Sequence, residues 1–276
     1  MNLLFTGANG FIAQELIQRF KKQAYINNIL HITRQNFNLL DPKSISNYLS
    51  KNSVDYIFHC AISGGRRGTP ETADMFYDNL IMFENLASQN HRFKGMFSFG
   101  SGAEMDRTKD IQAPSEEQFL QNKTHPTDYY GLSKHIIARR IKQINDNIYN
   151  FRIFNVFGDL EKENRMIKNN INRNKQGLPF EIHQNKIMDF FSAEDLFRVI
   201  EYYIKNIDLK LDKDINICYI NKVSLIDICK TINPHGKFNI LKKGFAPSYC
   251  GDGSKLNHLP VELVGLKRSI DQLRNK

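Results

Sequence analysis

Apolar residues return along this chain in two rhythms, and their alternation predicts its architecture. Short runs rich in Leu, Ile, Val and Phe predict strands at residues 2–6, 28–33, 56–60, 95–100 and 149–156. Between them, residues 12–20, 44–49, 73–88 and 134–144 bring apolar side chains back at intervals of three and four, the spacing of amphipathic helices. Strands alternating with helices in this way predict the α/β class, as a doubly wound parallel sheet of Rossmann type with helices on both faces. After Gly158 the rhythm breaks. Residues 159–175 form a charged, helix-permissive run, Gly177-Leu178-Pro179 reads as a turn, and 180–183 reads as a short strand. From Lys210 onward, short apolar segments alternate with Gly and Pro, which suits a smaller C-terminal lobe closing over a ligand. The expected division is one unit over 1–158 to which 188–206 returns, with 159–187 and 207–276 forming the smaller lobe.

Composition narrows the picture. With 276 residues, 41% of them hydrophobic, the chain is long enough for a full core. No apolar stretch approaches the roughly 20 residues that span a bilayer, and no basic leader with a cleavage site opens the sequence, so a soluble cytoplasmic protein without a membrane partner is expected. Cys60, Cys218, Cys229 and Cys250 are scattered, which argues for reduced thiols and against a zinc site or disulfide framework. The net charge of +9 suits either nucleic acid or an anionic small substrate. Because the basic residues are dispersed without interleaved aromatics, nucleic acid is not the expected partner.

Three local patterns carry chemistry. The first strand ends in Phe5-Thr6-Gly7-Ala8-Asn9-Gly10-Phe11-Ile12-Ala13. An apolar strand that stops at a glycine and restarts as a helix is the phosphate-cradling turn of a dinucleotide-binding βαβ unit. Gly7 permits the tight turn, Gly10 lets backbone approach a pyrophosphate, and Ala13 keeps the helix close to its strand. Gly7, Asn9, Gly10, Phe11 and Ile12 are therefore candidate cofactor contacts, although G-x-x-G-x-x-A differs from the dehydrogenase G-x-G-x-x-G. The second pattern is Tyr130-Gly131-Leu132-Ser133-Lys134, whose Tyr and Lys fall on one helical face a turn apart. An ammonium there is expected to lower the phenol pKa for acid–base work. The third is Phe97-Ser98-Phe99-Gly100-Ser101, which sets Ser101 at the carboxyl edge of a strand, within reach of the oxygen that Tyr130 would protonate.

In this order the motifs resemble those of the extended short-chain dehydrogenase/reductases, the NAD-dependent epimerase/dehydratase family, over roughly residues 1–205. Within that family the pattern is most similar to that of GDP-fucose synthases and other nucleotide-sugar 4-keto reductases. The likeness runs through Ile32-Thr33-Arg34, Phe37-Asn38-Leu39-Leu40-Asp41, Val54-Asp55-Tyr56-Ile57-Phe58-His59-Cys60-Ala61, Gly64-Gly65, Asn79 and Arg152-Ile153-Phe154-Asn155-Val156-Phe157-Gly158. The resemblance implies that Tyr130 is the acid, Lys134 its modulator and a ribose ligand, and Ser101 the carbonyl-oxygen partner. It also implies that Cys60, Ala61 and Ile62 line the pyrophosphate side, that Asn38 and Leu39 lie near the adenine, and that Asn79 belongs to the cofactor set. Where an enzyme that prefers NAD(H) usually carries an acidic residue, this chain has Thr33-Arg34; a guanidinium suits a 2′-phosphate, so NADP(H) is the expected cofactor with Arg34 as the contact. A homodimer through the helices at 73–88 and 134–144 follows by analogy alone.

Departures from the family pattern sharpen the expectation. Gly102 and Ala103 stand where sugar dehydratases carry an Asp-Glu pair and where GDP-fucose synthase carries its epimerising cysteine, and Arg165 stands at the position of the matching histidine. What survives is a Ser-Tyr-Lys set sufficient to move a hydride to or from a carbonyl. The expected activity is NADPH-dependent reduction, at C4, of a nucleotide-diphosphate 4-keto-6-deoxy sugar for surface polysaccharide biosynthesis, with GDP as the first nucleotide to test. The alternatives are a nucleotide-sugar 4-epimerase, disfavoured by Arg34, and a non-catalytic cofactor-sensing or RNA-associated member. Met188-Asp189-Phe190 lacks the arginine that the family uses on the diphosphate. Candidate substrate contacts are Arg66, Asn155, Arg165 and Lys168, with Lys186 a further substitute for the lost arginine. No metal site is expected.

Overall fold

The apolar runs become strands because each of their faces finds helices to cover it. In the computed structural model, which describes residues 1–65, 70–144 and 147–276, the first half of the chain is built of β1 (Asn2–Thr6), α1 (Phe11–Phe20), β2 (Asn28–Ile32), α2 (Pro42–Lys51), β3 (Tyr56–His59), α3 (Ala73–Ala87), β4 (Gly95–Ser101), β5 (Ile111–Gln112), α4 (Glu116–Gln121) and α5 (Tyr129–Gln143). There follow β6 (Ile148–Ile153), β7 (Val156–Phe157), α6 (Met166–Lys175), β8 (Phe180–Asn185), β9 (Phe191–Ser192) and α7 (Ala193–Lys205). The chain ends through β10 (Asp214–Ile217), α8 (Leu225–Ile232), β11 (Phe238–Phe245), β12 (Tyr249–Cys250), α9 (Ser254–Asn257) and α10 (Leu266–Arg274).

Six strands pair in parallel in the order β10-β6-β4-β3-β1-β2. Alternate residues leave each strand on opposite faces. Leu3 and Phe5 thus join Tyr56, Phe58, Phe97 and Phe151 in a core shared with α1 and α7, while Leu4, Ile57, Met96 and Ile148 pack under α2, α3 and α5. Aromatic rings step across the first face, with centroids 4.4 Å apart for Phe5 and Phe58 and 5.2 Å for Phe58 and Phe97. Each such fully buried ring contributes about 1.5–3 kcal/mol over its exposed state. The strand order reverses between β1 and β3, and the carboxyl ends flanking such a switch are where open α/β sheets bind ligands.

Three elements differ from the sequence expectation. The helix carrying Tyr130 starts at Tyr129, ahead of the expected 134, because Asp128 caps it by accepting the Gly131 N–H at 2.7 Å. The run 149–156 divides into β6 and β7. Residues 214–217, assigned above to the smaller lobe, are instead the outermost strand of the main sheet. Their alternation explains this. Ile215 and Ile217 point into the aromatic core, whereas Asp214 and Asn216 hydrogen-bond to the fully buried Arg152 of β6. Beyond the sheet, Ile167, Ile171, Phe180, Ile182, Ile228, Ile232 and Ile270 meet in a separate apolar cluster. Among the described residues no helix is long and apolar enough to cross a membrane.

Candidate active site

The glycine turn sits against the carboxyl end of β3. Gly7 adopts φ +60°, and a Cβ there would lie 2.7 Å from the Cα and N of Ala61, so only glycine fits. Thr6 ties the two strand ends together: its hydroxyl lies 3.0 Å from His59 Nδ1 and accepts the Ala61 N–H at 3.2 Å. His59 is buried, and burial together with the nearby Lys134 ammonium holds its imidazole neutral, with a pKa down to about 3. Beyond the turn, Gly10 donates to the Gly7 carbonyl at 2.8 Å and precedes α1 in an extended conformation. Asn9 and Gly10 are exposed, with Phe11 and Ile12 half-buried behind them, which leaves the amino end of α1 open to solvent. The half-buried Cys60 and Ala61 and the exposed Ile62 form the opposite wall.

Other expected cofactor contacts are distributed unevenly. Arg34 is exposed just past β2 and has no hydrogen bond or ion pair among the described residues. Asn38 is exposed, with its Oδ1 accepting the Leu40 N–H at 3.0 Å. Leu39, expected near an adenine, has its side chain buried in the core with α2 and α3, because the segment after β2 is pinned there by Asn85 donating to the Leu39 carbonyl at 3.0 Å. Asn79 is also buried. Its carbonyl oxygen accepts the Ser63 N–H at 2.8 Å, and its amide donates to the Ser63 carbonyl at 2.9 Å and the Ser133 hydroxyl at 3.1 Å. Its amide N–H groups thus go to the loop after β3 and to α5.

Ser101, Tyr130 and Lys134 converge as their order in the sequence suggested. Ser101 is the last residue of β4 and is buried, and Tyr130 lies half-buried in the first turn of α5. Lys134 is buried one turn further on, and its Nζ donates to the Phe99 carbonyl of β4 at 2.6 Å. The electrostatics differ from the expected pattern. The Lys134 ammonium stands 5.9 Å from the centroid of the Tyr130 ring, and burial pushes the phenol up, above its ordinary value, against the downward pull of Ser101 and Arg107. Burial also brings Lys134 down to about 8. Without a ligand the phenol is therefore a neutral proton donor at pH 7, the state that protonating a ketone oxygen requires.

The surroundings of Tyr130 include groups that no motif announced. Arg107 places its guanidinium 5.6 Å from the Tyr130 ring centroid while pairing with Asp128 at 2.7 Å. Glu71 accepts the Tyr130 N–H at 2.8 Å and the Gly65 N–H at 3.3 Å, bringing Gly65 against the phenol. A Cβ on Gly65 would lie 2.7 Å from the Tyr130 ring. Tyr249 of β12 brings its hydroxyl to 3.2 Å from Ser101 Oγ. Glu104 does have a sequence signature, the S-x-x-E capping box Ser101-Gly102-Ala103-Glu104. Its carboxylate accepts the Ser101 N–H at 3.1 Å and Arg152 Nε at 2.7 Å, so a buried ion pair anchors the end of β4.

The expected substrate contacts have local partners. Asn155 donates to the Asp189 carbonyl at 3.0 Å, joining the end of β6 to the segment that enters the smaller lobe. Arg165 pairs with the buried Glu161 at 3.2 Å, and Lys168 donates to the carbonyls of Asp159 and Glu161, both at 2.9 Å. Among the described residues, neither of these two pairs or hydrogen-bonds with Ser101 or Tyr130. Arg66 lies outside the described residues. In place of the missing arginine beside Asp189, Lys222 grips both carboxylate oxygens at 2.9 Å. Lys186 comes to 5.9 Å from the Tyr249 ring centroid.

Residues 3–218 match the family model described as NAD dependent epimerase/dehydratase family. The chain belongs to that family. Its membership places it among nicotinamide-dependent enzymes, in keeping with the Gly7 turn and the Ser101-Tyr130-Lys134 set. No curated protein matches the sequence. Solved structures share the fold at low identity. A GDP-mannoheptose C4 reductase from Campylobacter jejuni with NADP bound is 17% identical with a TM-score of 0.79, the match covering 99% of this chain and 97% of that one. A GDP-L-fucose synthetase from Naegleria fowleri bound to NADP is 15% identical with a TM-score of 0.77, covering 99% and 91%. A UDP-N-acetylglucosamine 4-epimerase from Bacillus cereus is 21% identical with a TM-score of 0.73, covering 100% and 96%.

Proposed function

We propose that this epimerase/dehydratase-family member is an NADPH-dependent reductase of a nucleotide-diphosphate 4-keto-6-deoxy sugar, acting at C4 in surface polysaccharide biosynthesis, with GDP as the carrier nucleotide. The observation that carries the reading is a Tyr130 phenol that burial keeps neutral, on the helix whose Lys134 bonds to β4 two residues before Ser101, with two residues that cannot titrate, Gly102 and Ala103, directly after the serine. Such a site protonates a ketone oxygen, and positions 102 and 103 provide no base for a neighbouring carbon. The cradle at Gly7, which a Cβ would fill, suits a pyrophosphate, held with Asn9, Gly10, Phe11 and Ile12 at the amino end of α1. Arg34, exposed and without a partner among the described residues, suits a 2′-phosphate, and Lys134 a ribose hydroxyl. A reduced nicotinamide bound there supplies the hydride.

In this reading Ser101 and Tyr130 both direct hydrogen bonds at the substrate carbonyl oxygen, and the Tyr130 proton moves to that oxygen as the alcohol forms. Asn155 and the lysines near Asp189 face the nucleotide diphosphate. A homodimer through α3 and α5 is supported by the exposed apolar side chains Tyr77, Ile81, Tyr129 and Ile136. The test is to mix the protein with NADPH and a panel of GDP-, CDP-, dTDP- and UDP-linked 4-keto-6-deoxy sugars, following the absorbance of the reduced nicotinamide. NADPH consumption that is fastest with a GDP sugar is expected. Absence of consumption with every member of the panel would overturn the reading.

A further inference from the structure

Ser101 has one hydroxyl proton and two lone pairs, and its surroundings decide where each must go. Its Oγ accepts the Ala103 N–H at 3.1 Å. It lies 3.2 Å from the Tyr249 hydroxyl on one side, and on the other Tyr130 is close enough for the serine to draw its phenol pKa down. Tyr249 is not there by chance of rotamer alone. Its N–H donates to the Ile187 carbonyl at 2.9 Å, its carbonyl accepts the Asp189 N–H at 3.1 Å, and β12 pairs it with Ile111 of β5. Its ring packs edge-on against Phe154 at 5.4 Å, and a Cβ on Gly102 would fall 2.9 Å from its Cζ. The smaller lobe's own chain thus delivers a second phenol, fixed in backbone and ring, to the catalytic serine.

We propose that Tyr249 is a positioning residue that completes a three-hydroxyl chain, Tyr249 to Ser101 to Tyr130, which stabilises the Tyr130 phenolate formed when Tyr130 gives up its proton. In that state the direction of the chain is fixed. The phenolate can only accept, so once the ketone oxygen holds the proton from Tyr130, Ser101 turns its own single proton from that oxygen to the phenolate. One Ser101 lone pair is held by the Ala103 N–H, and the other takes the Tyr249 O–H. Each bond polarises the next, so a donor into Ser101 strengthens what Ser101 gives to Tyr130. Phe at 249 would keep the ring packing and remove this donor, leaving the Ser101 hydroxyl free to rotate away.

The chain is a property of the protein and needs no substrate to be seen, so its test stands apart from the reductase reading on which its catalytic meaning rests. With 3,5-difluorotyrosine placed at position 130, the phenol titrates nearer neutral pH and gives one 19F signal to follow. Tyr249→Phe is expected to raise its midpoint by about 1 pH unit. Ser101→Ala is expected to raise it as well, and adding Tyr249→Phe to Ser101→Ala is expected to raise it no further, since the intermediary is gone. A midpoint unmoved by Tyr249→Phe, or two shifts that add, would overturn the proposal. Thermal unfolding of each variant checks that it is folded, and the Ser101→Ala comparison keeps the test decisive if Tyr249→Phe is less stable. If no ketosugar in the panel is turned over, the reductase reading fails while the titration still decides the chain.

Discussion

At the scale of single residues, the site separates groups whose partners lie within the protein from groups left open for a ligand. Lys134, Asn79, Arg165 and Lys168 have protein partners for their donors. Arg34 has none among the described residues and stands just past the end of β2. If it meets a 2′-phosphate, a charge-assisted hydrogen bond is lost on its removal, worth about 1.5–3 kcal/mol. Arg34→Ala is therefore expected to raise the Kd for NADPH about tenfold or more while leaving that for NADH unchanged, as read by quenching or enhancement of cofactor fluorescence. Equal loss for both cofactors would remove Arg34 from the 2′-phosphate.

At the scale of elements, the turn between β1 and α1 is where backbone geometry limits sequence most tightly. Gly7→Ala puts a side chain into left-handed backbone and into the end of β3, strain of about 1–3 kcal/mol that the turn relieves by moving. The variant is expected to show a lower Tm and a loss of NADP(H) binding; a variant with native Tm and native binding would contradict the geometry. The turn was legible in the sequence because a strand, a glycine and a helix start are all local signals. So was the Tyr130–Lys134 pair, which one helix holds at fixed spacing. Tyr249 was not legible. It lies 148 positions from Ser101 in a two-residue strand, where no periodicity exists to mark it. Whether a loop residue turns to the site or to the core is decided by tertiary packing, so no local signal marked Arg107 and none showed that the Leu39 side chain is buried. β10 was not read as a strand because its four residues fall where short apolar segments alternate with Gly and Pro, and its partner Arg152 lies 62 positions away.

At the scale of the whole molecule, the two strand ends that form the switch point are joined through a buried, neutral imidazole. His59 has an ordinary pKa of 6.5 and is held down to about 3 by burial and by Lys134. Below 6.5 the unfolded chain takes up a proton that the folded chain refuses, so the contribution of this group to stability falls as pH falls. The loss reaches about 1.4 kcal/mol for each pH unit until the folded pKa is met. A His59→Gln variant is expected to lose less stability than the wild type on acidification below pH 6.5, measured by urea unfolding. Parallel losses in the two proteins would show that His59 does not carry the effect.

The same architecture brings the cofactor cradle from β1, the serine from β4 and the phenol from α5 to one edge of the sheet, and the central claim is that Tyr130 protonates a ketone there while hydride arrives from NADPH. The most direct measurement uses NADPH deuterated at the transferring C4 position, with GDP-4-keto-6-deoxy-mannose, on the wild type and on Tyr130→Phe. Deuterium at sugar C4 with the wild type, and turnover reduced by at least about 100-fold in the variant with its NADPH affinity intact, is the predicted result. Deuterium transfer at the wild-type rate in Tyr130→Phe would contradict it.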